Sequence, residues 1–344
     1  MKIENISISD RMEHYNVTGL SVALIDESQI NMTEGYGVLE AGTTNKVNSN
    51  SIFNACSISK FLTSILVMKF TEQGILDLDE DVNNRLISWK VPDNELTQKN
   101  KVTLRRLLSH QSGVTDPEGS FAELNSTQGF PTIVDLLEGR TPYCNVPIKV
   151  KYEPESDFQY SDAGFCIIQQ IIEDRIGKPF NEVMNEHIFE PLEMKNSSFL
   201  QTIPKVRRED FSCGHFNGKI VNGKYPIYPY PAASGLWTTP YDLAILVIEL
   251  MSSLKGESKI GLSSSKVREM ITSQGSKEWT GLGVFLNGSE HEIEISSLGW
   301  GVGFQSMMVA YPYLEKGAVI MTNTDLGVHQ LKGIIGEVFN SLTF

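Results

Sequence analysis

Residues 57–73 limit the possible folds more than any other stretch of this chain. Ile58, Phe61, Leu62, Ile65, Leu66, Met68 and Phe70 recur at helical spacing and cover most of a helix surface, and Gly74 offers a C-cap. A helix that is apolar nearly all round is a buried one. With 344 residues, 40% of them hydrophobic, the chain is long enough to wrap such a helix in a large core. This helix opens on Ser57-Ile58-Ser59-Lys60. Ser57 and Lys60 stand three apart and share a face. Burial disfavours an ammonium, so Lys60 can become a neutral amine that accepts the Ser57 proton, and the helix N-terminus favours an alkoxide at Ser57. The tetrad alone also fits a capping serine followed by a solvated lysine, so other parts of the chain must decide.

The N-terminal part reads as β. Leu20 to Ile25 and Ile30 to Val38 are apolar runs split by Asp26-Glu27-Ser28, a hairpin pattern. From Ser57 to about residue 200 the pattern is helical, with helices expected at 57–73, 103–109, 132–138, 163–176 and 179–187. The segment 115–130, with Asp116-Pro117-Glu118-Gly119 and Asn125-Ser126-Thr127, reads as a loop or lid. Helices follow Pro240 and span about 263–273. Strands return at 281–286, 291–297, 304–310 and 318–322, and an amphipathic helix with Leu331, Ile334, Ile335, Val338, Phe339 and Leu342 on one side closes the chain. Strands at both ends with helices between predict an α/β (α+β) fold. One antiparallel sheet is built from both termini (residues 1–56 and 235–344), flanked by helices, with a mainly helical subdomain (57–234) inserted in it. The site is expected at their junction.

The net charge of −13 argues against nucleic acid or an anionic membrane as the main partner. The opening MKIENISISDRM has no apolar core of a secretory signal, and no apolar run reaches the ~20 residues of a membrane span, so a cytoplasmic location is expected. Cys56, Cys144, Cys166 and Cys213 lie far apart without a C-x-x-C, which suits reduced buried thiols. Cys56 beside Ser57 reads as a small core residue. The six histidines show no metal-ligand spacing and no motif calls for a cofactor; His110 reads as packing under a helix junction. No G-x-S-x-G elbow is present, which disfavours an α/β-hydrolase.

Three elements line up in chain order: Ser57-x-x-Lys60, then Tyr160-Ser161-Asp162 before a helix, then Ser297-Leu298-Gly299 followed by Trp300-Gly301-Val302-Gly303-Phe304. This order resembles the serine β-lactamase and penicillin-binding protein superfamily, in its class C β-lactamase, D-peptidase and family VIII esterase branch, where S-x-x-K, Y-x-N and K-T-G or H-x-G follow one another. Val102 to Gly113, Gly74 to Glu80, Ile188 to Met194 and Ala232 to Thr239 are similar to further blocks of that family, so the resemblance covers nearly the whole chain.

The resemblance implies a serine hydrolase. Ser57 would attack an ester or amide carbonyl to form an acyl-enzyme. Tyr160 would share proton transfer with Lys60, since a phenol works as a base near neutral pH only beside a cation. The backbone N–H groups of Ser57 and Trp300 would form the oxyanion hole. Gly299, Gly301 and Gly303 would let a substrate backbone approach the strand. Gln111, Tyr230 and Asn323 match cleft-lining positions.

Two positions depart from the family pattern. Asp162 replaces an Asn and would pair with Lys60, hold the helix N-terminus, or receive a substrate ammonium. Ser297 replaces a Lys or His and supplies no charge for a substrate carboxylate. An esterase or D-amino-acid peptidase acting on a small ester, amide or short peptide is therefore expected ahead of a β-lactamase. The alternative is a catalytically weak penicillin-binding or regulatory protein that keeps the fold.

Overall fold

A computed structural model of the chain describes residues 1–124 and 129–343; Asn125, Ser126 and Thr127 of the expected loop lie outside the described residues. The strands that matter here are β1 (Gly19–Asp26), β2 (Gln29–Gly37), β3 (Phe53–Cys56), β4 (Leu236–Thr238), β5 (Phe285–Asn287), β6 (Glu294–Gly301), β7 (Phe304–Tyr311) and β8 (Lys316–Thr322). Six of them form one sheet in the order β2-β1-β8-β7-β6-β5, antiparallel at every pairing. The N-terminal β1 lies beside the C-terminal β8, with Val22 opposite Ile320. As expected, the two ends of the chain build one sheet.

Strand periodicity sorts the side chains of this sheet onto two faces. Leu20, Val22 and Leu24 of β1, Met307 and Val309 of β7 and Ala318 and Ile320 of β8 pack on one side, against Ile8, Met12, Ile334, Ile335 and Val338. Ala23, Ile25, Met308, Ala310, Val319 and Met321 face the larger core, which also holds the central helices. Because alternate residues face opposite ways, a strand covered on both faces becomes a continuous apolar run.

Six helices frame the sheet and the site: α1 (Ile8–Tyr15), α2 (Ser59–Glu72), α3 (Leu104–Leu108), α4 (Asp162–Ile176), α5 (Pro240–Leu254) and α6 (Ile334–Asn340). Helix α1 falls where only β structure was expected. It buries Ile8 and Met12 alone, and its signal is a cap: Ser7 Oγ accepts from the backbone N–H of Asp10 at 3.3 Å. It packs beside α6 through the Glu337 carboxylate, which accepts from Arg11 Nη2 and Tyr15 Oη, each at 2.7 Å. Helix α5 covers the opposite face of the sheet, against β1 and β8. The helix expected at 179–187 begins as a regular turn at Phe180–Met184 and loosens into a π-helical stretch at Asn185–Phe189.

Every residue of α2 from Ser59 to Phe70 is buried, Lys60 and Lys69 included, as its all-round apolar surface requires. The helix starts at Ser59, so Ser57 sits in the turn between β3 and α2. Strand β3, which the sequence pattern did not mark, pairs with β4 and packs on β6 and β7. It delivers Ser57 to the edge of the main sheet.

Candidate active site

Ser57 owes its position to a tight corner. Cys56 adopts a left-handed backbone with φ 50°, which costs a non-glycine residue about 1–2 kcal/mol. Side chains on either side fix the bend: Asn54 Oδ1 accepts from Cys56 N at 2.8 Å, and Ser59 Oγ donates to Cys56 O at 2.6 Å. Leu236 N of β4 in turn donates to Ser59 Oγ at 3.0 Å. A thiolate at Cys56 is disfavoured: burial pushes its pKa far above the usual thiol range.

In the first turn of α2, Lys60 is buried and directs its ammonium at three oxygens. Nζ lies 3.2 Å from Ser57 Oγ, 2.5 Å from Asp162 Oδ1 and 3.0 Å from the carbonyl of Ala233. Burial pulls its pKa down, but Asp162 and Tyr160 outweigh that effect and leave it raised above the ordinary 10.5. The neutral amine expected from burial alone is therefore corrected to a cation held in an ion pair. The Lys60 charge makes its contribution to stability in full below about pH 10.5 and loses it as pH rises through the raised folded value, so that contribution is present at neutral pH.

Asp162 is the first residue of α4, and the cap is its neighbour: Ser161 Oγ accepts from Gly164 N at 3.0 Å. Of the roles open to Asp162, its carboxylate takes the pairing with Lys60. Beneath it lies a second carboxylate that sequence reasoning placed only in a loop. Asp116 is acceptor to Ser161 Oγ and to the backbone N–H groups of Asp162 and Ala163, each at 2.9 Å. Burial and the nearby Asp162 raise the Asp116 pKa, against the lowering effect of those donors. The buried carboxyl group sits at the N-terminal end of α4 and fixes Ser161 and Asp162 in place. No local pattern announces it, because its partners are 45 to 47 residues away.

Tyr160 overhangs this cluster, with Lys60 Nζ 4.8 Å from its ring centroid. The phenol ring stacks on His110, 4.4 Å between centroids and 28° between planes. Burial, with Lys60 adding to it, pushes the His110 pKa down to about 3, so the imidazole is neutral. Its Nδ1 accepts from Ser161 N at 3.2 Å. As expected from sequence, His110 packs at the helix junction, and it shelves the phenol there.

Ser57, Lys60, His110, Tyr160 and Ser297 line one pocket of ≈ 350 Å³, with Leu108, Phe158, Val284, Phe285 and Leu298 among its apolar walls. Strand β6 forms one side. Strand β5 pairs only with Glu294–Ser296, so the edge of β6 from Ser297 to Gly301 has no strand beside it among the described residues. Of β6, Ser296, Ser297 and Leu298 line the pocket, and Trp300 is not among the lining residues.

Five of the residues expected beside the substrate make contacts within the chain. A side chain at Gly299 would meet the carbonyl of Ala55 at 2.1 Å, and one at Gly301 would meet Tyr228 Oη at 2.3 Å and Cys56 Sγ at 2.7 Å. These glycines let β6 close on the chain's own β3. Gln111 is buried and bridges a loop, donating to Gln274 O at 2.7 Å and accepting from Ser276 N at 3.0 Å. Tyr230 is buried and donates to the carbonyls of Phe121 and Ala122. Asn323 is fully buried, its amide donating to Val38 O, Leu39 O and Ser212 Oγ. In each case the family-like residue type is spent on holding two segments together.

A sheet built from both termini, with a serine and lysine at a buried helix start facing a tyrosine across a pocket, is the architecture of β-lactamase-like proteins. The sequence matches the Beta-lactamase family over residues 7–333, and the chain belongs to that family. Protein flp of Staphylococcus aureus (strain MW2) is 21% identical over 326 residues, covering 92% of this chain and 61% of flp. Penicillin-binding protein 4 of Amycolatopsis lactamdurans is 29% identical over 190 residues, 55% of this chain and 46% of that protein. The chain thus spans less than two thirds of the length of these relatives. Among solved structures, the D-amino acid amidase from Ochrobactrum anthropi SV3 complexed with D-phenylalanine superposes with a TM-score of 0.76 at 21% identity, covering 97% of this chain and 96% of the amidase. The octameric penicillin-binding protein homologue from Pyrococcus abyssi gives 0.76 at 19% identity, covering 97% and 75%. At these identities the likeness establishes the fold. Among the described residues, no helix is long and apolar enough to cross a membrane.

Proposed function

We propose that this protein is a serine hydrolase that cleaves small esters or amides, including D-amino-acid amides or peptides, through an acyl-enzyme on Ser57. The observation that carries this reading is the 3.2 Å contact between Ser57 Oγ and Lys60 Nζ at the floor of a pocket overhung by Tyr160. Ser57 attacks the carbonyl carbon. Lys60, already a cation, takes the Ser57 proton as it passes one of its own to Asp162, so one proton moves from Ser57 to the carboxylate and Lys60 keeps its charge. The same proton returns through Lys60 and Tyr160 to the departing oxygen or nitrogen, and water then releases the acyl group. The Ser57 and Trp300 N–H groups would hold the developing oxyanion, where loss of one donor typically costs ~10²–10³ in rate.

The solved D-amino acid amidase supports an amide or ester substrate. A second reading, a weakly catalytic penicillin-binding or regulatory protein, is favoured by one feature, the Lys60–Asp162 pair that withholds the lysine as a free base. Intact mass after exposure to a fluorophosphonate, a penicillin and a chromogenic ester separates the two. A hydrolase adds one phosphonyl group, lost in Ser57→Ala, and turns over the ester; a binding protein retains a stable penicilloyl adduct without turnover. Stoichiometric phosphonylation of Ser57→Ala would remove Ser57 from its role.

A further inference from the structure

Three aromatic rings beside the pocket form a surface that the chemistry above does not use. Phe158 and Phe285 line the pocket together with Ser57 and Tyr160. Trp279 extends this wall outward: its ring lies 4.6 Å from that of Phe158 at 56° and 6.1 Å from that of Phe285 at 34°, and the residue is 45% exposed. The loop that carries the indole is pinned. Gln111 holds it at Gln274 and Ser276, Lys277 Nζ meets Asp157 Oδ1 at 2.8 Å, and the Trp279 carbonyl accepts from Leu286 N at 2.9 Å. A large apolar side chain held half-exposed next to a pocket is available contact area, since its own ordering cost is already met by the loop.

Charge excludes one class of occupant. Among the residues lining the pocket Lys60 is the sole cation, and it is engaged by Asp162; His110 is neutral, and position 297 is a hydroxyl. At the outer rim, Lys277 is paired with Asp157. A carboxylate therefore finds no free positive partner at this wall, while a flat apolar group finds three rings that pack on one another at 4.6–6.4 Å.

We propose that Phe158, Phe285 and Trp279 form a subsite for an uncharged apolar ring carried next to the scissile bond, which makes the substrates of this site neutral arylalkyl esters or amides. This rests on the hydrolase reading above and specifies its substrate class. A ring gains offset or edge contacts with the shelf beyond its buried area, which an alkyl chain of similar size does not.

The test compares kcat/KM for benzyl acetate with cyclohexylmethyl acetate and ethyl acetate, and for methyl phenylacetate with methyl propionate, in the unaltered protein, Trp279→Ala and Trp279→Phe. A ring on at least one side of the scissile bond is expected to raise kcat/KM roughly tenfold over the saturated analogue. That advantage should collapse in Trp279→Ala and be largely kept in Trp279→Phe, with both variants shown to be folded by circular dichroism. Equal rates for ring and saturated analogues, or an advantage unchanged in Trp279→Ala, overturns the proposal. Binding of benzyl acetate to Ser57→Ala, measured by calorimetry, keeps the two readings apart. Binding weakened by adding Trp279→Ala upholds the subsite even if no ester is turned over, in which case only the hydrolase reading falls. Absence of Trp279-dependent binding, or an indole found covered by a second protein chain, overturns the subsite whatever the turnover.

Discussion

The two walls of the pocket are held together by opposite kinds of physics. On one side Lys60 lines the pocket, and Asp162, Asp116 and Ser161 behind it continue a chain of polar contacts at 2.5–3.0 Å. On the other, Phe158, Phe285, Val284 and Leu298 present area without direction. Electrostatic contacts in a poorly solvated site are strong when complete and costly when one partner is removed, whereas apolar contact degrades in proportion to area lost. The polar wall should therefore fail abruptly and govern turnover, and the apolar wall should fail gradually and govern selection.

The largest effects test the polar side. Lys60→Ala and Tyr160→Phe are each expected to lower kcat by ~10²–10⁴ with KM changed only a few-fold, because both act on the proton in flight. Steady-state kinetics on a neutral ester decides it. Either variant retaining activity within about threefold would detach that residue from proton transfer.

Asp162→Asn probes the same wall through pH. In the unaltered protein the carboxylate keeps Lys60 above 10.5; with a neutral amide there, burial is the dominant influence left and lowers the Lys60 pKa. The profile of kcat/KM against pH should then acquire an ascending limb at that lowered value as Lys60 becomes a free amine. Superimposable profiles for the two proteins would mean that the ion pair does not set the state of the lysine.

Ser297 joins the two walls, and Ser297→Lys should make them more alike. A cation there adds a charge-assisted bond to a substrate carboxylate worth ~1.5–3 kcal/mol, or roughly 10- to 150-fold in kcat/KM. The preference of the unaltered protein for neutral esters over carboxylate-bearing analogues of equal size should narrow by about that factor. Rapid cephalosporin hydrolysis without the substitution would contradict the role assigned to Ser297.

The last effect is read in stability rather than in turnover. His110 has its folded pKa lowered from 6.5 to about 3, so between these values the unfolded chain binds the extra proton. Stability is therefore full above about pH 6.5 and declines as pH falls toward 3, by on the order of 5 kcal/mol at most from this group. Urea unfolding of His110→Gln should show a shallower acid decline than the unaltered protein. Parallel declines would leave the imidazole without influence on acid stability.

The sheet was legible because its strands signal locally: alternating or continuous apolar runs at 20–25, 304–310 and 318–322 fall within β1, β7 and β8. Helix α4 was equally legible, since ten consecutive buried residues from Ala163 to Ile172 leave little else to form. The short α1 was not, because a helix that buries two residues carries almost no periodic signal. Strand β3 escaped for a similar reason, being four residues stabilised by partners nearly 200 positions away.

By itself the sequence determined the family, the buried helix and the residues that meet at its start, for those follow from residue type and spacing along one element. What only the tertiary structure decided is their state and company. Lys60 is a cation rather than an amine because Asp162 arrives from 102 residues away. Asp116 becomes a helix-end anchor because a loop folds under α4, while Gln111, Tyr230 and Asn323 become braces because segments distant in the chain meet their side chains. A protonation state and a direction of approach depend on the distance to groups far off in the chain, and folding alone sets those distances.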